Sequence, residues 1–168
     1  MGRKITPHSY AGLLKQARNV MPGVSITTDI ITGFPGETEQ EFIESASFIQ
    51  DMDFARGHVF TYSARPGTAA AVLPGPVPNN ISKQRSTQIC EIIRNSSSSY
   101  LEKHIGQNIS VLWEKASPLV DGQWELSGLS DNYLRVRSNS SSPCQNQIMD
   151  VNITGVVHGE LIGKITHQ

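Results

Sequence analysis

The chain has 168 residues, 38% of them hydrophobic, enough to build a core for one mid-sized domain or two small ones. Its net charge is −1, so no bulk basic footprint advertises nucleic acid, and any RNA contact has to rest on a local patch. The two cysteines, Cys90 and Cys144, lie far apart with no C-x-x-C or C-x-x-x-C spacing, which argues against a zinc or iron–sulfur site built by this chain alone.

Met1-Gly2-Arg3-Lys4 leads straight into a helix signal, with no apolar leader and no run of about 18 apolar residues, so a cytoplasmic protein without membrane partners is expected. In that setting the N-x-S/T triplets are read as chance. Thr6-Pro7 starts a helix: a hydroxyl N-cap precedes a proline at the first helical position, where a missing N–H costs nothing. Tyr10, Leu13, Leu14, Ala17 and Val20 follow at helical spacing until Pro22-Gly23. The β-branched run Val24 to Thr32 predicts a buried strand, and Gly33-Phe34-Pro35-Gly36 a turn. Thr38 and Glu41 form a capping box for a helix with Phe42, Ile43, Ala46, Ile49 and Met52 on its apolar face. His58 to Tyr62 predicts a second strand. Helix, strand, helix, strand with short connections is a parallel α/β arrangement, yet two parallel strands cannot cover both of their faces and edges.

Residues 73–80 read as a stiff, proline-rich linker, and a helix is predicted from Ile81 to His104. Asn95-Ser96-Ser97-Ser98-Ser99 has poor helix propensity, so fraying or a kink is expected there. Beyond Ile105 the pattern holds strands only, with candidates starting at Asn108, Trp124, Tyr133, Ile148 and Glu160; Ser138 to Gln147 reads as an inserted polar loop. Five short strands in about 60 residues fit a small closed barrel of the oligonucleotide-binding (OB) sort. Residues 104–168 hold four Lys and Arg against six carboxylates, so this barrel too lacks a net positive charge.

Three segments carry more specific information: Thr28-Asp29-Ile30-Ile31-Thr32-Gly33-Phe34-Pro35-Gly36-Glu37-Thr38, His58-Val59-Phe60-Thr61-Tyr62-Ser63-Ala64-Arg65-Pro66-Gly67-Thr68-Ala69-Ala70, and Gly128-Leu129-Ser130-Asp131-Asn132-Tyr133-Leu134-Arg135-Val136. Singly, each is an ordinary turn or packing motif. In this order and spacing they resemble the methylthiotransferases of the radical S-adenosylmethionine (SAM) superfamily, whose C-terminal barrel is called a TRAM domain; Met1 to Thr6 looks like the same family. The resemblance covers nearly the whole chain. It implies the last strands and helices of a partial (β/α)6 radical SAM barrel in residues 1–76, a linker and connecting helix in 77–104, and a five-stranded, OB-like TRAM barrel that binds RNA in 105–168.

The resemblance also implies roles. Ile31, Gly33, Phe34 and Glu37 at the end of the first strand, with Phe60, Tyr62 and Ser63 at the end of the second, would border the adenosyl part of SAM. Arg65 is a fixed charge at the mouth, suited to a carboxylate or an RNA phosphate, or else to a hydrogen bond that stabilises its own turn. Asp29 is either a polar interior group or a buried hydrogen-bond partner of neighbouring loops. The complete enzymes carry two [4Fe–4S] clusters on six cysteines; none of those is present, so no catalytic or metal-ligating residue is assigned and the chain alone is expected to be inactive, a C-terminal piece lacking its N-terminal half.

Thr28-Asp29 looks like the enzymes acting on tRNA, and the Gly128–Val136 segment resembles the branch (MtaB type) modifying N6-threonylcarbamoyladenosine beside the anticodon, rather than the isopentenyladenosine branch (MiaB type). The tRNA anticodon stem-loop is therefore the expected partner, with Asn132, Tyr133, Arg135, Arg137 and Lys164 as RNA-contact candidates. Strand alternation puts Arg135 and Arg137 on one face, as a basic pair for phosphates or as a solvated strand face. A stand-alone TRAM-type RNA-binding module and a piece of a ribosomal-protein methylthiotransferase are the alternatives.

Overall fold

A computed structural model describes residues 5–166; Met1 to Lys4, used above for the family resemblance, lie outside them. The chain divides into two compact units between Ser97 and Ser98.

The first unit is α/β. Helix α1 (Pro7–Val20) starts at Thr6, whose hydroxyl accepts from the Ser9 N–H while the Ser9 hydroxyl accepts from the Thr6 N–H, a reciprocal cap. Strand β1 (Thr27–Thr32) begins three residues later than the hydrophobic run, because its pairing with the next strand starts only at Thr27, opposite Arg56. Helix α2 (Glu39–Met52) carries the expected capping box: the Thr38 hydroxyl accepts from the Glu41 N–H, and the Glu41 carboxylate accepts from the Thr38 N–H at 2.8 Å. Strand β2 (Arg56–Thr61) lies parallel to β1, from Thr27 opposite Arg56 to Thr32 opposite Thr61. A 3-10 turn (Ala69–Val72), absent from the sequence reading, precedes helix α3 (Asn79–Glu102).

One face of the strand pair is sealed. Ile30 and Val59 pack against a core of Leu14, Phe42, Ile49, Phe54, Ile89 and Ile93 drawn from all three helices and the loop before β2. The other face is bare: Ile31 is 42% and Phe60 53% exposed, and the His58 ring stacks on Phe60. Among the described residues no third strand joins the pair.

The expected break in α3 does not occur; the helix runs unbroken through the serines. Tertiary contacts override the poor propensity. Ile93, Tyr100 and Leu101 are buried on either side of the run, and the Ser96 hydroxyl donates to the Phe54 carbonyl at 2.6 Å.

The second unit is a closed barrel of β3 (Asn108–Pro118), β4 (Trp124–Ser130), β5 (Arg135–Ser140), β6 (Ile148–Val157) and β7 (Glu160–Ile165), in the order β3-β4-β5-β7-β6. Val111, Trp113, Leu126, Val136, Val151, Ile153 and Leu161 fill it and are fully buried. A bulge between Trp113 and Lys115 bends β3 around this core. Gly128 sits opposite, where a Cβ would meet the Leu112 carbonyl oxygen at 2.3 Å. Two boundaries differ from the sequence reading. Tyr133 lies in the β4–β5 turn with φ +57°, not in the strand. Ser138 to Ser140 belong to β5 with alternating burial, because their hydroxyls replace the apolar atoms that usually signal a strand interior. Among the described residues no helix is long and apolar enough to cross a membrane.

Candidate functional site

At the carboxyl ends of β1 and β2 a pocket of about 400 Å³ opens between the turn after each strand. Ile31, Phe34, Phe60, Tyr62, Ser63 and Arg65 line it, so six of the eight residues singled out from the sequence for the ligand are brought together. Phe34 and Tyr62 meet edge to face with ring centroids 5.2 Å apart, and the Tyr62 N–H donates to the Thr32 carbonyl, continuing the ladder past the strand end. The Tyr62 hydroxyl is buried without a hydrogen-bond partner among the described residues.

The Arg65-Pro66-Gly67-Thr68 turn is closed by the Arg65 carbonyl, which accepts from both the N–H and the hydroxyl of Thr68. The Arg65 guanidinium takes no part in that closure; it is exposed at the pocket mouth, with no ion pair among the described residues. Thr61, Thr68 and Ala70 also line the pocket and went unnoticed in the sequence, where they read as strand end and turn.

Gly33 and Glu37 stand outside this lining, and both hold the turn after β1 in shape. Gly33 has φ +72°, and a Cβ there would lie 2.1 Å from the Ser82 hydroxyl oxygen. The Glu37 carboxylate accepts from the Gly33 N–H at 2.8 Å and from Arg85 Nη1 at 2.7 Å. Arg85 also donates to the Glu37 carbonyl and to Glu39, and its guanidinium stacks over the Phe42 ring. Burial is the largest influence on Arg85 and works against its charge, but hydrogen bonds to Glu39 and Glu37 and their charges outweigh it, so its pKa rises above the usual value. Thr32 and Ser82 exchange hydroxyl–carbonyl bonds at 3.3 Å, fixing the same turn to α3 a second time. No sequence signal marked Arg85 or Ser82, since their partners lie 46 to 50 residues away.

A second cleft, of about 740 Å³, runs along the free edge of β1 beside α2, lined by Asp29, Phe42, Ser45 and Phe48 among others. Asp29 is exposed there and makes no hydrogen bond among the described residues, so it does not tie loops together.

On the barrel, Arg135 and Arg137 do share one face of β5, but neither is an idle cation. Arg135 Nη1 lies 2.6 Å from Glu114, while Arg137 bridges Glu125 and Glu160. The hydrogen bond to Glu160 is the main cause of a raised Arg137 pKa. Tyr133 is 76% exposed at the tip of the β4–β5 turn, which the Ser130 hydroxyl closes by accepting from Leu134, and Asn132 sits beside it half-buried. Lys164 on β7 is exposed, has no ion pair among the described residues, and lies at a separate polar groove. Among the described residues no three His, Cys, Asp or Glu side chains converge as metal ligands; Cys90 and Cys144 are free thiols.

With this geometry established, comparison with known proteins places the chain. It is 31% identical over 153 residues to the threonylcarbamoyladenosine tRNA methylthiotransferase MtaB of Bacillus subtilis, covering 91% of this chain and 34% of that protein. It is 33% identical over 167 residues to the tRNA-2-methylthio-N(6)-dimethylallyladenosine synthase of Acinetobacter baumannii, covering 96% of this chain and 34% of that protein. The chain is a homologue of the tRNA methylthiotransferases. The synthase of the same name from Staphylococcus aureus matches over 100% of this chain and 32% of its own length, at 33% identity. The chain thus spans about a third of the length of the curated relatives it matches. No protein-family model matches it.

Proposed function

We propose that this chain supplies one wall of the SAM pocket and the RNA-holding barrel of a cytoplasmic tRNA methylthiotransferase that modifies N6-threonylcarbamoyladenosine beside the anticodon, and that the chain alone is inactive. The observation that carries this reading is the pocket at the strand ends, where two aromatic rings, an apolar strand-end residue and an exposed arginine converge. Those residues fit an adenosyl group: Phe34 and Tyr62, set edge to face, offer apolar aromatic contact to a purine. Arg65 would neutralise a carboxylate at the mouth. When bound beside an iron–sulfur cluster, SAM supplies radical chemistry; the residues of this chain bind, orient and exclude water. The described residues do not fit a cluster, and no step through one is assigned to them.

In this reading β1 and β2 are the fifth and sixth strands of a partial (β/α)6 barrel, whose interior face is the bare one bearing Ile31 and Phe60. The closed five-stranded unit corresponds to a TRAM domain. Relatives of both substrate branches are similar to the chain to a like degree, so the choice of threonylcarbamoyladenosine rests on the Gly128–Val136 segment.

A chimera tests the reading. The matching third of the Bacillus subtilis relative is replaced by this chain, and tRNA nucleosides are analysed by mass spectrometry. Methylthiolated threonylcarbamoyladenosine is expected, with no deoxyadenosine from the unfused chain and SAM. Product formed only on isopentenyladenosine would overturn the substrate. Deoxyadenosine made by the unfused chain would overturn its inactivity. Loss of all products with RNA binding intact would favour a stand-alone RNA-binding module, a reading that the self-contained barrel core also suits.

A further inference from the structure

The barrel has one place where its wall is thin. β5 and β7 run parallel and pair only at Val136 with Leu161 and Arg137 with Ile162. Beyond that rung the Ser138 hydroxyl donates to the Gly163 carbonyl at 2.8 Å, a side chain standing where a backbone N–H would serve in a continued ladder. Gly163 is held tight against β6: a Cβ there would come within 2.6 Å of the Asn152 carbonyl oxygen and of Val151. With β7 drawn toward β6, a groove of about 440 Å³ opens between the ends of β5 and β7.

Gln123, Asn139, Ser141 and Lys164 stand along the groove's walls, with Ile165 as its apolar member. Lys164 is the informative member. The two arginines of β5 spend their charge on Glu114, Glu125 and Glu160, whereas Lys164 has no ion pair among the described residues. In a unit with more carboxylates than cations, an anionic backbone is drawn to an uncompensated ammonium sooner than to guanidiniums whose carboxylates it must displace. Amides and hydroxyls beside a single cation suit a phosphate and the ribose and base edges next to it, and they do not suit an apolar ligand.

We propose that the β5–β7 groove is a single-stranded RNA subsite, in which Lys164 takes a backbone phosphate and Gln123, Asn139 and Ser141 contact the adjoining nucleotide, while Arg135 and Arg137 are ion-paired structural residues. The proposal rests on the reading that this chain handles tRNA.

The test uses the full chain and a fluorescein-labelled anticodon stem-loop RNA, with anisotropy titrations across a salt series. Lys164→Ala is expected to weaken binding about five-fold and to lower the slope of log affinity against log salt by about 0.7, one single-strand phosphate contact. Asn139→Ala weakens binding about two- to three-fold, Lys164→Arg keeps near-normal affinity, and Arg135→Ala with Arg137→Ala leaves the slope unchanged. Tryptophan emission of each variant monitors the barrel fold. An unchanged slope for a folded Lys164→Ala, with loss on removing the arginines, overturns the groove and leaves the tRNA reading standing. A wild-type chain that fails to bind the stem-loop overturns the tRNA reading, and the groove with it.

Discussion

The Arg85 guanidinium and the Glu37 carboxylate meet at 2.7 Å with little access to water, and through them α3 holds the turn that follows β1. One oxygen of the Glu37 carboxylate, Oε2, accepts from both Arg85 and the Gly33 N–H, so a single atom ties the turn to the helix. The pocket is therefore shaped by a clamp lying behind it. Stacking over Phe42 adds a cation–π contact, and a lysine's point charge would not combine it with the fork to Glu37 and Glu39.

Removing that clamp affects one unit selectively. Arg85→Ala leaves the Glu37 carboxylate mostly buried with the Gly33 N–H as its remaining donor, a change expected to cost about 3 kcal/mol. All three α-helices lie in residues 7–102, and both tryptophans, Trp113 and Trp124, lie in the barrel. Urea unfolding of Arg85→Ala should lower the midpoint read by circular dichroism at 222 nm and leave the tryptophan-fluorescence midpoint in place. Equal shifts of both signals would contradict it.

Gly33 and Gly36 both have positive φ, but only Gly33 is crowded. Gly36→Ala should cost about 1–2 kcal/mol for the left-handed backbone alone. Gly33→Ala must also move Ser82, so a larger loss is expected. Ser82→Gly in the same chain should recover part of it, whereas Ser82→Ala should not, because the Ser82 Cβ is itself 2.7 Å from the added methyl. Denaturant midpoints for the single and double variants check the ranking.

Proton linkage at the α2 cap has a definite sign. The backbone hydrogen bond from Thr38, followed by its hydroxyl, holds the Glu41 pKa below the usual 4.5. Unfolding therefore raises the pKa, so the stability Glu41 contributes is present above the ordinary carboxylate range and fades as pH falls through it toward the folded value. Wild type and Glu41→Ala should differ in thermal midpoint at neutral pH and draw together as the solution is acidified through the carboxylate range and below it. A gap that persists at the lower pH would show that the carboxylate's charge is not what matters.

How far the residues alone disclose this protein can be judged element by element. Local signals were legible because partner and signal sit within one turn: Thr6-Pro7, Thr38 with Glu41, and the glycine turns. The gathering of Phe34, Phe60, Tyr62 and Arg65 was legible through motif order. Arg85 was not, because a lone arginine on a polar helix face reads as solvated until the fold brings Glu37 to it across 48 residues. Alternation put Arg135 and Arg137 on one face, but only barrel closure brings up Glu114 and Glu160, which cancel them. The serine run misled for a similar reason, since propensity is outvoted by tertiary contacts.

That run yields a fourth prediction. Ser96→Ala removes the bonds to Phe54 and Asp53 and should destabilise the α/β unit by about 1 kcal/mol. Ser98→Ala and Ser99→Ala, on exposed helix positions, should each stabilise α3 by a few tenths of a kcal/mol. Thermal melts followed at 222 nm distinguish the two directions.

A ring is only as closed as its shortest fastening, and here that clasp is the two-residue rung of β5 and β7. Springing it would let those two strands part while β3 keeps long ladders to both β4 and β6, so the barrel can gape along one line without melting. Backbone amides bonded across β5 and β7 would then exchange with solvent well before those bonded between β3 and its two neighbours.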